Sequence, residues 1–232
     1  MNACGRKMGQ SKDGSMKMPG GWILAILLGI AVSQAACAGG PRYSVHPDYK
    51  SAAPHSVAVL PVLNETVNSM APEAFRNMLH HKISLKGYES PPIAFVDGKL
   101  LEKEIREAGQ INTLTPQELG KLLGVDAVLY TTVTEFNTTY LLAYASMTVG
   151  ARFELMNTKT GERLWETDHQ VKEIKLATDT KSMQEAAQFA TLQSYAPYVQ
   201  QVVNVGLATL PDGPRAAAAP ARTGYLMPGG TR

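Results

Sequence analysis

The sequence predicts an α/β fold: a single domain built on one mixed sheet with helices packed against it, in the order β-α-β-α-α-β-β-β-α. Three observations carry this. A short apolar run, Val57-Ala58-Val59-Leu60-Pro61-Val62-Leu63, precedes helix-period segments, the pattern of a buried parallel strand and its crossover. After residue 126 the period shortens from helical to two, with Val149, Ala151, Phe153 and Leu155 pointing one way. Asn157-Thr158-Lys159-Thr160-Gly161 then makes a turn, so the chain returns as a hairpin.

Each element has a local reason. Pro61 places the end of the first strand at an edge or bulge. Pro72 suits a first helical turn; Phe75, Met78, Leu79 and Ile83 share one face, and Gly87 ends the helix. Ile93-Ala94-Phe95-Val96 reads as a second short strand. Asp97 caps a helix carrying Leu100, Leu101, Ile105 and Ala108, which stops at Gly109. Thr115-Pro116-Gln117-Glu118 has capping-box spacing and opens a helix with Leu119, Leu122 and Leu123, ended by Gly124. Residues 127–136, rich in Val, Tyr, Thr and Leu, form a strand. Residues 147–156 and 164–170 form the hairpin. Ser182-Met183-Gln184-Glu185 starts a last long helix with Phe189, Leu192, Val199, Val202, Val203 and Leu207 on its apolar positions, kinked or split at Pro197.

The domain is expected at 57–210, with a Pro-, Ala- and Gly-rich tail at 211–232 that reads as disordered. Ahead of it, residues 1–36 read as a secretory signal. Lys12 and Lys17 precede an apolar run from Trp22 to Val32, and Ser33-Gln34-Ala35-Ala36 leads to Cys37. The run rises only about 16 Å, too short for a hydrocarbon core of about 30 Å. A cut between Ala36 and Cys37 would leave Cys37 as the lipidated first residue, followed by a flexible tether over 37–56. That tether spans at most about 65 Å and as a coil averages about 24 Å. Gln34 stands where lipoprotein signals carry leucine. A second small-x-small site, Ala36-Cys37-Ala38, would instead release a soluble periplasmic protein. The start codon is open between Met1, Met16 and Met18.

Composition excludes several functions. The chain carries a formal net charge of +2, and the leader holds Arg6, Lys7, Lys12 and Lys17 against Asp13. The mature part is therefore slightly acidic, with no basic field for nucleic acid. The chain has two cysteines. Cys4 leaves with the leader and Cys37 is consumed by acylation, so thiol catalysis, zinc-cysteine sites and iron–sulfur clusters are excluded for the body.

Several segments together resemble a known family. They are Val59-Leu60-Pro61 with Asn64-Glu65-Thr66, then Gly87-Tyr88, Phe95-Val96-Asp97, Leu122-Leu123-Gly124-Val125-Asp126-Ala127-Val128-Leu129-Tyr130, and Thr160-Gly161-Glu162-Arg163-Leu164-Trp165. Over roughly residues 55–210 the set resembles a family of bacterial lipoproteins typified by a meningococcal lipoprotein antigen. The family looks like the periplasmic N-terminal domain of TolB and is similar to the soluble domain of the curli secretion lipoprotein CsgG. The resemblance implies an envelope lipoprotein, anchored to the outer membrane, and implies no catalytic residues.

The candidate chemistry is thin. His80-His81 on a helix point about 100° apart and cannot easily chelate one ion. Asp168-His169 on a strand face opposite sides. His46 and His55 fall in the tether. Glu102, Glu104 and Glu107 lie among Lys99, Lys103 and Arg106 on an exposed helix face with i, i+4 spacings such as Lys103–Glu107. No phosphate-binding glycine loop, nucleophile elbow or His-Glu-x-x-His occurs. The expectation is a protein with no catalytic, metal or cofactor-binding residues. It is held at the membrane by its lipid and works on other envelope lipoproteins or export proteins. A sheet edge or the apolar stripe of the last helix would serve a partner or a second copy. The alternatives are an activator of a cell-wall synthase and a CsgG-like pore. For the pore, residues 137–144 leave too little chain between strands to add a hairpin.

Overall fold

The alternation read between Met147 and Leu155 runs down the middle of the sheet. In the computed structural model, which describes residues 41–141, 143–190 and 195–216, Met147, Val149, Ala151, Phe153 and Leu155 are all fully buried. They belong to β5 (Tyr144–Asn157), which pairs antiparallel with β4 (Ala127–Leu141) and β6 (Arg163–Leu176). Along β4 lie two pieces of one interrupted strand, β2 (Val57–Val59) and β3 (Leu63–Asn64), both parallel to it. Pro61 falls in the break, where its missing N–H costs no ladder bond. At the other edge β1 (Arg42–Val45) pairs antiparallel with β6, giving the order β1-β6-β5-β4-β2. The fold class is the one expected, a mixed sheet covered by helices.

Two clusters hold the helices. On one face α2 (Ala71–Leu85) buries Phe75, Leu79 and Ile83, and α6 (Tyr195–Ala208) buries Val199, Val202, Val203 and Leu207, against Leu129, Val133, Phe153 and Trp165. On the other, α3 (Ile93–Leu101) and α4 (Pro116–Leu123) place Val96, Leu100, Leu119 and Leu123 over Ala58, Leu60 and Val128. Truncating a buried aromatic such as Phe153 to alanine costs about 3–5 kcal/mol. α4 is built as its sequence dictates. Thr115 Oγ1 accepts from the Glu118 N–H at 3.3 Å, and the Glu118 carboxylate accepts from the Thr115 N–H at 2.7 Å. Gly124, at φ +68°, closes the helix. Beyond the reach of α3 and α4 the second face of β5 and β6 is polar around Arg152, Glu154, Glu166 and Asp168. Arg163 pairs with Glu154 at 2.9 Å and Glu166 at 2.6 Å, and Arg152 with Asp168 at 3.6 Å.

The structure corrects several expectations. The strand at 93–96 is the first turn of α3. Pro92 precedes it with φ −55°, and Val96 and Leu100, four apart, bury under β2. Asp97 therefore caps nothing and pairs with Arg76 at 2.6 Å. That helix stops at Leu101, not Gly109; Glu104 turns left-handed at φ +61°, and a 3-10 turn, Ala108–Thr113, follows.

The last helix, expected to kink or split at Pro197, is divided into two, but before Tyr195. α5 (Thr180–Phe189) is capped by Asp179, whose Oδ1 accepts from the Ser182 N–H at 2.8 Å. Pro197 sits in the first turn of α6, where a missing N–H costs nothing. The apolar stripe expected to face a partner is covered by the chain's own sheet.

Strand β4 runs on to Leu141 and β5 begins at Tyr144, so the described residues of 137–144 lengthen these two strands and add no further hairpin between them. The expected tether is folded from residue 41 onward: β1 and α1 (Tyr49–Ala52) occupy it, and Tyr49 is buried. The expected tail is folded through residue 216, where Gly213 N–H donates to Lys86 O at 2.8 Å and Arg215 N–H to Gly87 O at 3.1 Å. The signal segment 1–36, the Ala36–Cys37 cut, Cys37 itself and residues 217–232 lie outside the described residues. Among the described residues no helix is long and apolar enough to cross a membrane.

Candidate functional site

Because β2, β3 and β4 run parallel, the loop after β3 emerges at their C-terminal end, a common place for ligands in α/β sheets. This loop is fixed by its own side chains. Asn64 Oδ1 accepts from the Thr66 N–H at 3.0 Å and the Thr66 hydroxyl at 2.7 Å, while Asn64 Nδ2 donates to Asn68 O at 2.8 Å. Asn68 Oδ1 then accepts from the Met70 N–H at 3.0 Å. Such Asx turns set the backbone without help from elsewhere. The result is a braced loop that holds Val67 fully exposed and Met70 largely so.

Beside the loop lies a cavity of about 400 Å³. One wall is the start of α2, with Met70, Glu73, Ala74 and Asn77; the other is the start of α6, with Ala196 and Val199. The floor is aromatic. Phe136 and Tyr195 stack with centroids 4.1 Å apart, and Phe75 meets Phe136 edge-on at 6.4 Å. The Tyr195 hydroxyl is 2.6 Å from Thr138 Oγ1, which fixes the ring. An apolar concavity with a few amides is suited to binding. Glu73 is the one carboxylate among the described lining residues, whereas hydrolysis by carboxylates takes two.

None of the histidines and carboxylates weighed as candidate chemistry lines this groove; of the last helix's apolar stripe, Val199 does. His80 points its Nε2 at Pro91 O, 3.1 Å away, tying α2 to the segment before α3, while His81 is exposed. Asp168 pairs with Arg152 on the polar face; burial lowers the pKa of His169, against the pull of the Asp168 charge. His46 and His55 are held after all: the His46 N–H donates to Leu164 O at 2.8 Å, and the His55 N–H donates to Asp126 Oδ2 at 3.0 Å. The pair actually formed on α3 is Lys99–Glu102, at 3.0 Å, because the helix ends before Lys103. Among the described residues no three His, Cys, Asp or Glu come together as metal ligands.

The motif residues turn out to be joints of the fold. Asp126 Oδ2 accepts from the N–H groups of His55 and Ser56 and from the Ser56 hydroxyl, all within 3.1 Å. Burial pushes this carboxyl up, but the hydrogen bonds from His55 and Ser56 outweigh it and leave the pKa lowered. Gly87 adopts φ +86°, and a Cβ there would collide with the backbone of Ala216. Tyr88 hydrogen-bonds the buried Tyr49 hydroxyl and donates to Pro211 O at 2.6 Å. Burial pushes both tyrosine pKa values up. Trp165 is buried and its Nε1 donates to Thr209 Oγ1 at 3.1 Å. Sequence reasoning placed Phe136 on a strand and Val199 on a helix but missed their meeting, and Tyr195 gave no signal of its own.

Comparison with known proteins agrees with the resemblance read from these motifs. The curated lipoprotein NMB1124/NMB1162 of Neisseria meningitidis serogroup B is 28% identical over 151 residues, covering 65% of this chain and 70% of that protein. The crystal structure of lipoprotein GNA1162 from Neisseria meningitidis superposes with a TM-score of 0.48 at 27% identity, over 65% of this chain and 99% of that one. A PelC dodecamer from Paraburkholderia phytofirmans gives 0.43 at 16% identity, over 72% of this chain and 98% of that one. The GNA1162-like lipoprotein family model matches residues 44–226. With most of its folded part under that match, the chain belongs to the GNA1162-like lipoprotein family.

Proposed function

We propose that this protein is a non-enzymatic, lipid-anchored envelope protein, an accessory subunit that binds another protein of an export, transport or surface-assembly complex through the groove between α2 and α6. The observation that carries this is the groove itself: a braced loop with exposed Val67 and Met70 beside an apolar cavity of about 400 Å³ with a fixed aromatic floor. Exposed apolar side chains on a rigid frame suit a partner surface, since little entropy is lost on docking. The anchor is Cys37, cut from Ala36 and facing the periplasm or the surface from the outer membrane.

The short stretch between Cys37 and β1 bears on the alternatives. Four peptide steps from Cys37 reach at most about 14 Å, so a lipidated chain keeps its body at the membrane surface. That weighs against an activator reaching into the cell wall. The pore reading needs an apolar outer band of about 25 Å; exposed apolar side chains on β4–β6 are confined to the last rows, from Thr139–Ser146–Ile174 to Leu141–Tyr144–Leu176. Site-specific photo-crosslinking from Met70 in intact cells tests the proposal. A defined heterologous envelope partner, lost when Ala74→Arg fills the groove, is expected. Crosslinks that ignore Ala74→Arg, or none, would overturn it.

A further inference from the structure

We propose that the free end of the β4–β5–β6 sheet is a second membrane contact, dipping into the lipid interface beside the N-terminal anchor. The end is a hairpin with a third strand alongside. Its last row is Leu141–Tyr144–Leu176, preceded by Tyr140–Ala145–Lys175 and Thr139–Ser146–Ile174. Leu141 is 66%, Leu176 71% and Ile174 49% exposed, and Tyr140 is exposed as well. Alternation puts Leu141, Tyr144, Leu176 and Ile174 on the face away from α5, with Tyr140 on the other. This is the one place among the described residues where neighbouring strands set apolar side chains side by side in water, and isolated exposed residues would not attract notice.

The course of β1 says what covers this end. Arg42 pairs with Asp168 and Val45 with Trp165, so β1 begins on the side of β6 nearer Leu176. Cys37 is five residues before Arg42, a reach of about 17 Å, and the end of β6 is eight residues beyond Asp168, about 27 Å away. A lipid on Cys37 would lie within about 17 Å of Arg42, and Arg42 is the β1 residue paired nearest the apolar end of β6. The inference rests on the anchor reading for this placement.

Depth and charge fit an interfacial contact. Three rows span about 7 Å, comparable to the 5–10 Å by which apolar faces sink into the headgroup boundary. Behind them the strands turn polar, with Asn137, Thr138, Lys172 and Glu173, and Glu173 pairs with Lys175 from the second row. Lys172, Lys175 and Lys181 are matched by Glu173, Asp179 and Glu185, so insertion relies on apolar contact rather than on anionic lipid. The patch also holds far fewer side chains than the 20–30 residues a side of a stable protein interface.

The test uses the mature, acylated full chain in vesicles of phosphatidylcholine and phosphatidylethanolamine. With Cys4 removed and Cys37 acylated, Leu176→Cys or Leu141→Cys supplies the one thiol for an environment-sensitive fluorophore. The expected result is a blue shift and several-fold quenching by acyl-chain quenchers at 141 and 176, with no change for Glu162→Cys at the opposite turn. A water-like label at 141 and 176 would overturn the proposal. So would a blue shift that grows with protein concentration without lipid, which would mean a second copy covers the patch. Should the N-terminus carry no lipid, the anchor reading fails separately. Flotation of a Cys37→Ser chain then decides: flotation lost on Leu176→Asp sustains the tip contact, and no flotation refutes it.

Discussion

Phe136 and Tyr195 lie face to face, 4.1 Å between centroids and 14° from parallel, one from the middle of β4 and the other from the first turn of α6. Their stack joins the sheet to the last helix and floors the groove. Removing Phe136 takes away a nearly fully buried ring that also meets Phe75. Phe136→Ala should cost about 3–5 kcal/mol in urea unfolding. Tyr195→Phe keeps the stack but leaves Thr138 without its partner and should cost only about 1 kcal/mol. Similar losses for both would refute the role given to the stack.

Gly87 is required twice, for its φ of +86° and for the space that Ala216 fills. Gly87→Ala should destabilise the fold by more than the ~1 kcal/mol of an ordinary exposed Gly→Ala strain. It should also free the 211–216 segment, seen as early proteolytic clipping there. A variant as protected as the parent would show that the strap does not depend on this glycine.

Asp126 gives a pH dependence. Its folded pKa is lowered, so its stabilisation is complete above the ordinary carboxylate value of about 3.9 and is lost as pH falls through the lower folded value. Asp126→Asn should weaken the protein at neutral pH by about 1–3 kcal/mol and flatten the acid limb of its stability curve. An unchanged acid limb would contradict the network drawn between Asp126, His55 and Ser56.

Trp165 reports on its own hydrogen bond. The chain has two tryptophans, Trp22 and Trp165, and a chain cut before Cys37, as proposed, keeps Trp165 as its one source of indole fluorescence. Thr209→Val strands a buried Nε1–H and should cost about 1–3 kcal/mol, with a shifted emission maximum. No change in either would mean the bond contributes nothing.

How far the fold could be read depended on where each segment's partners lie. β5 was legible because one face is fully buried, so its alternation is complete. α4 was legible because Thr115, Pro116, Glu118 and Gly124 form its ends locally. β1 was hidden: all four of its residues are exposed, and its pairing with β6 is backbone to backbone across more than a hundred residues. The strap over Gly87 is held by main-chain bonds together with the Tyr88 hydroxyl and the Lys86–Asp212 and Arg215–Glu89 pairs, to which a Pro-, Gly- and Ala-rich sequence gives no sign. Ile93-Ala94-Phe95-Val96 is a four-residue apolar run that fits strand or helix, and only its burial under β2 decides. The groove was illegible for the same reason: Met70, Phe136 and Tyr195 come from three distant segments, and each alone reads as ordinary packing.

The lipid proposed on Cys37 holds this fold at a membrane surface. The most direct test is the intact mass of the mature N-terminal peptide from the native host. The predicted result is a chain beginning at Cys37 and carrying its acyl groups. An unmodified peptide beginning at Gly39, cut after Ala38, would contradict it.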